Sequence, residues 1–103
     1  MLQVREIMYC KPGKVREMVK KSLAMAAIME KAGQGKMKIM TDFCAERYWT
    51  IVTEYEVPSM QEFEASMRGE GFTDEQNKEF EKLMEGYHDL VDYGRREIYK
   101  IET

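Results

Sequence analysis

Residues 36–63, KMKIMTDFCAERYWTIVTEYEVPSMQEF, decide the fold. Within 36–44, Met37, Ile39, Thr41 and Phe43 share one face, and Lys36, Lys38, Met40, Asp42 and Cys44 share the other. Within 48–57, Trp49, Ile51, Thr53, Tyr55 and Val57 alternate with Tyr48, Thr50, Val52, Glu54 and Glu56. That period of two, rich in aromatic and β-branched residues, is the signature of strands. The short link at Ala45-Glu46-Arg47 makes the pair an antiparallel hairpin. Pro58 stops the second strand, and Ser59-Met60-Gln61-Glu62 is a capping-box pattern that opens a short helix with Met60, Phe63 and Met67 inward.

The same signals organise the flanks. Residues 2–10 read as a strand in which Glu6 interrupts the apolar set of Leu2, Val4 and Met8. Lys11-Pro12-Gly13 ends it, and Pro12 is suited to opening a helix because its missing N–H would have no partner there. Residues 13–32 place Val15, Met18, Val19, Ser22, Met25, Ala26 and Met29 on one face of a helix, which Gly33-Gln34-Gly35 terminates. Gly69 and Gly71 break the short second helix, and Thr73-Asp74-Glu75-Gln76 caps a third. That third helix carries Phe80, Leu83, Met84, Tyr87, Leu90 and Val91 at helical spacing, with Gly94 just beyond its end. Residues 95–102 read as the last strand. The order β-α-β-β-α-α-β predicts an α+β, ferredoxin-like domain over residues 1–103: an antiparallel four-stranded sheet with helices on one face. The other face is left bare and mixed apolar and charged, so a covering layer is expected, and an isologous homodimer is the commonest source of one.

Length and composition set the bounds. A chain of 103 residues is one domain and buries roughly two thirds of its unfolded surface. It is 44% hydrophobic and 34% charged, as expected of a globular protein and too apolar for disorder. No apolar run approaches the ~18 residues that span a bilayer, and MLQVREIMYC is not a signal peptide. Sixteen basic against nineteen acidic residues give a net charge of −3, which argues against nucleic-acid binding. Two cysteines, Cys10 and Cys44, form neither a disulfide framework nor a metal motif, and point to a reduced, cytoplasmic setting. Gly33-Gln34-Gly35-Lys36 follows a helix and precedes a strand, the reverse of a phosphate-binding loop.

Several segments carry a family resemblance: Val4-Arg5-Glu6 followed by Lys11-Pro12-Gly13-Lys14, then residues 49–56 (WTIVTEYE), 59–64 (SMQEFE) and 96–99 (REIY). Across essentially the whole chain the pattern resembles the dimeric α/β-barrel superfamily, in its NIPSNAP-type branch, and is similar in plan to the antibiotic-biosynthesis-monooxygenase branch. The resemblance implies a homodimer whose two sheets face each other. In some relatives the barrel space, or the cleft between sheet and helices, holds a haem or an aromatic substrate. Haem-degrading relatives pair a helix histidine with a tryptophan and a first-strand asparagine. Trp49 and His88 match two of these, but the first strand offers only Gln3.

Candidate site residues each carry a competing structural reading. His88, the single histidine, is a potential general base or haem ligand, or else an exposed residue between Glu85 and Asp92. Glu6, Glu54 and Glu97 lie inside strands, where carboxylates need a reason. They read either as a base in a polar pocket or as ion pairs with Arg5, Arg95 and Arg96 that hold register. Ten methionines read as core filler or as an adaptable ligand wall. Trp49, Tyr55, Arg96 and Tyr99 are the candidate ligand-binding set, and the strand aromatics serve equally as cross-strand pairs or an interface. The expectation is a small homodimer that binds a hydrophobic or aromatic ligand and extends to cofactor-independent, monooxygenase-like chemistry. The alternatives are a noncatalytic binding or assembly module and a haem-binding protein; no metal is expected.

Overall fold

The computed structural model describes residues 1–103. Its elements are β1 (Leu2–Cys10), α1 (Val15–Lys31), β2 (Lys38–Thr41), β3 (Thr50–Val57), α2 (Met60–Met67), α3 (Asp74–Met84), a 3-10 turn (Tyr87–Asp89) and β4 (Val91–Lys100). The four strands form one antiparallel sheet in the order β2-β3-β1-β4, the α+β ferredoxin-like plan.

Register assigns the faces. Val4 lies opposite Tyr55 and Ile98, and Glu6 opposite Thr53 and Arg96. Because side chains alternate, Leu2, Val4, Glu6, Met8 and Cys10 share the face that also carries Ile51, Tyr55 and Val57. This face meets the helices. Cys10, Ile51, Leu90 and Val91 pack with Val15 and Met18 of α1, and Val4, Tyr55 and Val57 pack with Phe63 of α2. Met18 is fully buried (0% exposed) and anchors α1 on the sheet. Of the ten methionines it is the one wholly committed to the core.

Four features differ from the sequence expectation, each for a local reason. Helix α1 starts at Val15, not residue 13: Pro12 and Gly13 form a tight turn closed by Lys14 N–H donating to Lys11 O at 3.0 Å. The hairpin is shorter than 36–44 and 48–57, because residues 42–49 leave the ladder and Trp49 turns left-handed at φ 63°. Only Thr73 forms a full capping box; Ser59 accepts from Glu62 N–H without the return bond. The largest difference is that α3 ends at Met84. Gly86 adopts φ 75°, a left-handed conformation that glycine accepts without penalty, and it stops the helix. Lys21 of α1 seals that end by donating from Nζ to the carbonyls of Leu83 (2.8 Å) and Glu85 (3.1 Å). The last strand therefore starts at Val91 rather than residue 95, and Leu90 and Val91 enter the core from a turn and a strand.

Gly94 consequently lies inside β4 instead of beyond a helix. A Cβ there would stand 2.8 Å from the backbone oxygen of Ile7. We expect Gly94→Ala to destabilise the fold by about 1–3 kcal/mol, the usual cost of overpacking against an element that cannot move aside. Urea denaturation of the variant against wild type measures it.

Candidate functional site

The β1–β4 and β1–β3 ladders sort charged residues onto opposite faces. On the face away from the helices, Arg5 Nε lies 2.8 Å from Glu54 Oε2, and Arg5 Nη1 lies 3.6 Å from Glu97. The Arg5 Nε–H is off the line of that first contact, so the attraction is electrostatic rather than a hydrogen bond. Arg95 donates to Glu97 at 3.2 Å and to the Tyr9 hydroxyl at 2.6 Å, while the Tyr99 hydroxyl donates to Glu97 at 3.0 Å. The hydroxyl of Tyr99, aided by Arg95, holds the Glu97 carboxyl below its ordinary range. Arg47, from the β2–β3 connection, covers the Tyr9 ring at 4.7 Å and reaches the Tyr93 ring at 5.0 Å, and the two tyrosines stack at 4.9 Å. No helix packs here, and Tyr93 and Tyr99 are exposed.

On the helix face the only ion pair between strands joins Glu6 of β1 to Arg96 of the edge strand β4. Arg96 donates from Nε to Glu6 Oε1, and its guanidinium lies over the Phe63 ring at 5.0 Å. This pair sits in the floor of a cleft of about 700 Å³ between the sheet and the helices. Met8, Ile51, Thr53, Tyr55 and Val57 complete the floor. Ser22, Met25 and Met29 of α1 form one wall, and Asn77, Phe80 and Met84 of α3 form the other. The end of α2 and the α2–α3 connection roof it with Met67, Gly69 and Phe72.

The cleft exists because α3 does not pack down onto the sheet. None of its residues is buried, and its contacts are with α1. The roof is tied instead by two hydrogen bonds and one aromatic contact. Asn77 Nδ2 donates to Gly69 O at 3.1 Å, Ser66 Oγ to Gln34 Oε1 at 3.3 Å, and Phe72 meets Phe80 edge-on at 5.0 Å. Six methionines (Met8, Met25, Met29, Met37, Met67 and Met84) line the space. A flexible, polarizable lining of this kind adapts its shape to an apolar occupant. A second depression, about 770 Å³, lies between residues 33–38 and the end of β3. Its lining of Gln3, Lys36, Lys38, Glu54, Glu56 and Glu62 is mixed in charge and shared with solvent, so the apolar cleft with a small polar floor is the better ligand pocket.

The eight residues singled out from sequence separate cleanly. Glu6, Tyr55 and Arg96 meet in the cleft. Glu54, Glu97 and Tyr99 belong to the opposite face. Trp49 sits at the base of the β2–β3 connection, where its carbonyl accepts from Cys10 N–H at 2.8 Å, and it lines neither depression. His88 is in the 3-10 turn, not on a helix, with its ring 4.1 Å from that of Tyr87 and outside the cleft. A haem held through His88 in the cleft does not fit this placement. Cys10 is buried and Cys44 exposed, both as free thiols, and burial pushes the Cys10 thiol up, away from thiolate chemistry. No group of three or more His, Cys, Asp or Glu residues is placed to hold a metal ion. Ser22, Thr53, Asn77, Phe72 and Phe80 are cleft residues that sequence reasoning missed. Helical and strand periodicity marked the elements they lie on but not the gap between those elements.

No protein-family model matches the chain, and no curated protein matches it. Solved structures do. A NIPSNAP domain protein from Burkholderia xenovorans superposes with a TM-score of 0.74 at 14% identity, over 98% of this chain and 94% of that one. A NIPSNAP family protein from Agrobacterium tumefaciens gives 0.73 at 16% identity, over 97% and 92%. The chain shares the fold of these two proteins. An antibiotic biosynthesis monooxygenase gives 0.73 at 12% identity over the full length of both chains, so the same plan extends to that branch. Identities this low speak for the fold alone.

Tyr55 supplies a titration marker for that cleft. It is 8% exposed, and burial, reinforced by the negative charge of Glu6, pushes its hydroxyl up to about 12, with Arg96 opposing. A tyrosine raised in the folded state keeps its proton while the unfolded chain loses one. Its contribution to stability is therefore complete below about pH 10 and is lost as pH rises from there through about 12. Ultraviolet titration of the six tyrosines should show a late phase near pH 12 that is absent from Tyr55→Phe.

Proposed function

We propose that the protein binds a small hydrophobic or aromatic molecule in the cleft between sheet and helices, and that it does so as a homodimer joined through the opposite sheet face. The observation that carries the first half is the combination of a largely apolar, methionine-rich space of about 700 Å³ with a charged pair, Glu6 and Arg96, and Tyr55 in its floor. Ligand pockets are mostly apolar with a few convergent polar groups, and this volume suits a molecule of drug-like size. The fold shared with an antibiotic biosynthesis monooxygenase is compatible with this reading.

If the cleft is catalytic, Glu6 is the base: it is the one of the four proposed catalytic residues that reaches the occupant. Its role is to take a proton from a bound O–H or C–H, with Arg96 beside the developing anion. Glu54, Glu97 and Tyr99 then act at the dimer face, where Arg5 and Arg95 balance two carboxylates. A charge-balanced patch is suited to meeting its own copy across a two-fold axis. Covering it would also remove Tyr93 and Tyr99 from water. A cytoplasmic setting fits the free thiols. The rival reading, an assembly module without a ligand, rests on that face alone.

Two measurements test the halves separately. Val52 is half-buried on the open face, so Val52→Glu should convert a dimer to a folded monomer in light scattering, with unchanged circular dichroism. A monomeric wild type would overturn the dimer. For the cleft, an aromatic probe such as 2-naphthol should shift the methyl resonances of the methionines lining it, Met25, Met29 and Met84 among them, and leave buried Met18 and exposed Met60 in place. Uniform or absent shifts would leave the assembly module as the function.

A further inference from the structure

The charged residues that line the cleft are two carboxylates, Glu6 and Glu81, and two guanidiniums, Arg68 and Arg96. The cleft carries no net charge from them. Both arginines are already engaged: Arg68 Nε lies 2.8 Å from Glu70, and Arg96 Nε donates to Glu6. An anionic ligand would find no uncompensated cation, and it would have to leave water and approach the Glu6 carboxylate. The unused capacity is of another kind. Arg96 takes Glu6 at Oε1 through its Nε, so Oε2 remains as an acceptor and the guanidinium's terminal N–H groups remain as donors. The Glu6 side chain is only 18% exposed, whereas that of Arg96 is 45% exposed, so the acceptor lies deeper than the donors. Tyr55 adds a neutral hydroxyl, since its proton is held well above physiological pH. Around these groups methionine, phenylalanine and aliphatic side chains are interspersed with neutral polar ones, Ser22, Thr53 and Asn77 among them.

We infer that the cleft selects an uncharged, flat, apolar molecule carrying an O–H donor, a phenol or enol, whose proton is accepted by Glu6 Oε2, and that it discriminates against the corresponding carboxylate. This rests on the cleft being the ligand site and adds the chemical class of what it takes. The selection is asymmetric. A donor-bearing ligand gains a hydrogen bond to a charged acceptor, whereas an anion brings its charge toward Glu6. A ligand of the same shape without the donor leaves that carboxylate oxygen desolvated and unpaired.

Three probes of one shape separate the possibilities: 2-naphthol, 2-methoxynaphthalene and 2-naphthoate at pH 7, titrated calorimetrically into the wild-type protein and into Glu6→Gln. The expected result is that 2-naphthol binds wild type at least tenfold more tightly than either of the others. In Glu6→Gln, which removes the negative charge and leaves Arg96 uncompensated, the preference for 2-naphthol over 2-naphthoate should fall at least tenfold or reverse. Equal binding of all three probes to wild type would overturn the selection while leaving the cleft a ligand site. Tighter binding of 2-naphthoate to wild type would do the same, and would make Arg96 an anion anchor. Binding of none of them would overturn the ligand site and the selection together. The wild-type ratios decide the matter even if Glu6→Gln proves unstable.

Discussion

Strand β1 is the constraint from which the rest follows. It lies between β3 and β4, and both pairings place Val4 on the helix side. Once Val4 is buried there, period two sends Glu6 to the same side and Arg5 to the other. The partner strand obeys the same register, so Arg96 meets Glu6 inside and Glu97 meets Arg5 outside. One ladder thus builds two ion-paired surfaces, one on the helix side and one on the open side. The outer pairs are partly exposed and screened by water and salt unless something covers them. The inner pair borders the cleft between sheet and helices, with the Phe63 ring under the guanidinium.

The cleft itself depends on where the core stops. Met18, Cys10, Ile51 and Leu90 pack at one end of the sheet, and Val4, Val57 and Phe63 at the other. Between these two clusters α3 is held away by its attachments to α1, including the Lys21 bonds to its C-terminal carbonyls. Methionines that a tighter packing would bury instead face this space. The arrangement leaves apolar surface unpaired, which is a cost unless an occupant fills it.

Much of the architecture was legible. Period two in residues 48–57, the Thr73 capping box and the Gly33 stop each marked a real boundary, because each acts through neighbours a few residues away. The misplaced boundary after α3 shows where local reading fails. Tyr87, Leu90 and Val91 continue the helical spacing of Phe80 and Met84, and all three contact apolar residues, but as a turn and a strand. Gly86 was the available signal, and the apolar spacing outweighed it. With α3 ending at Met84, Gly94 lies inside the sheet and His88 in a turn rather than a helix.

Sequence by itself determined the order of elements, the antiparallel α+β plan, and the short set of residues able to do chemistry, since propensity, periodicity and capping are local. It left open which faces those residues share, because a one-residue slip in register reverses every side chain of a strand. Only the tertiary structure united Glu6, Tyr55 and Arg96, sent Glu54, Glu97 and Tyr99 to the far side, and set Trp49 and His88 apart. It alone placed methionines from three helices, strand β1 and the loop before β2 around one cavity, because a cavity is a gap between elements and no element encodes it.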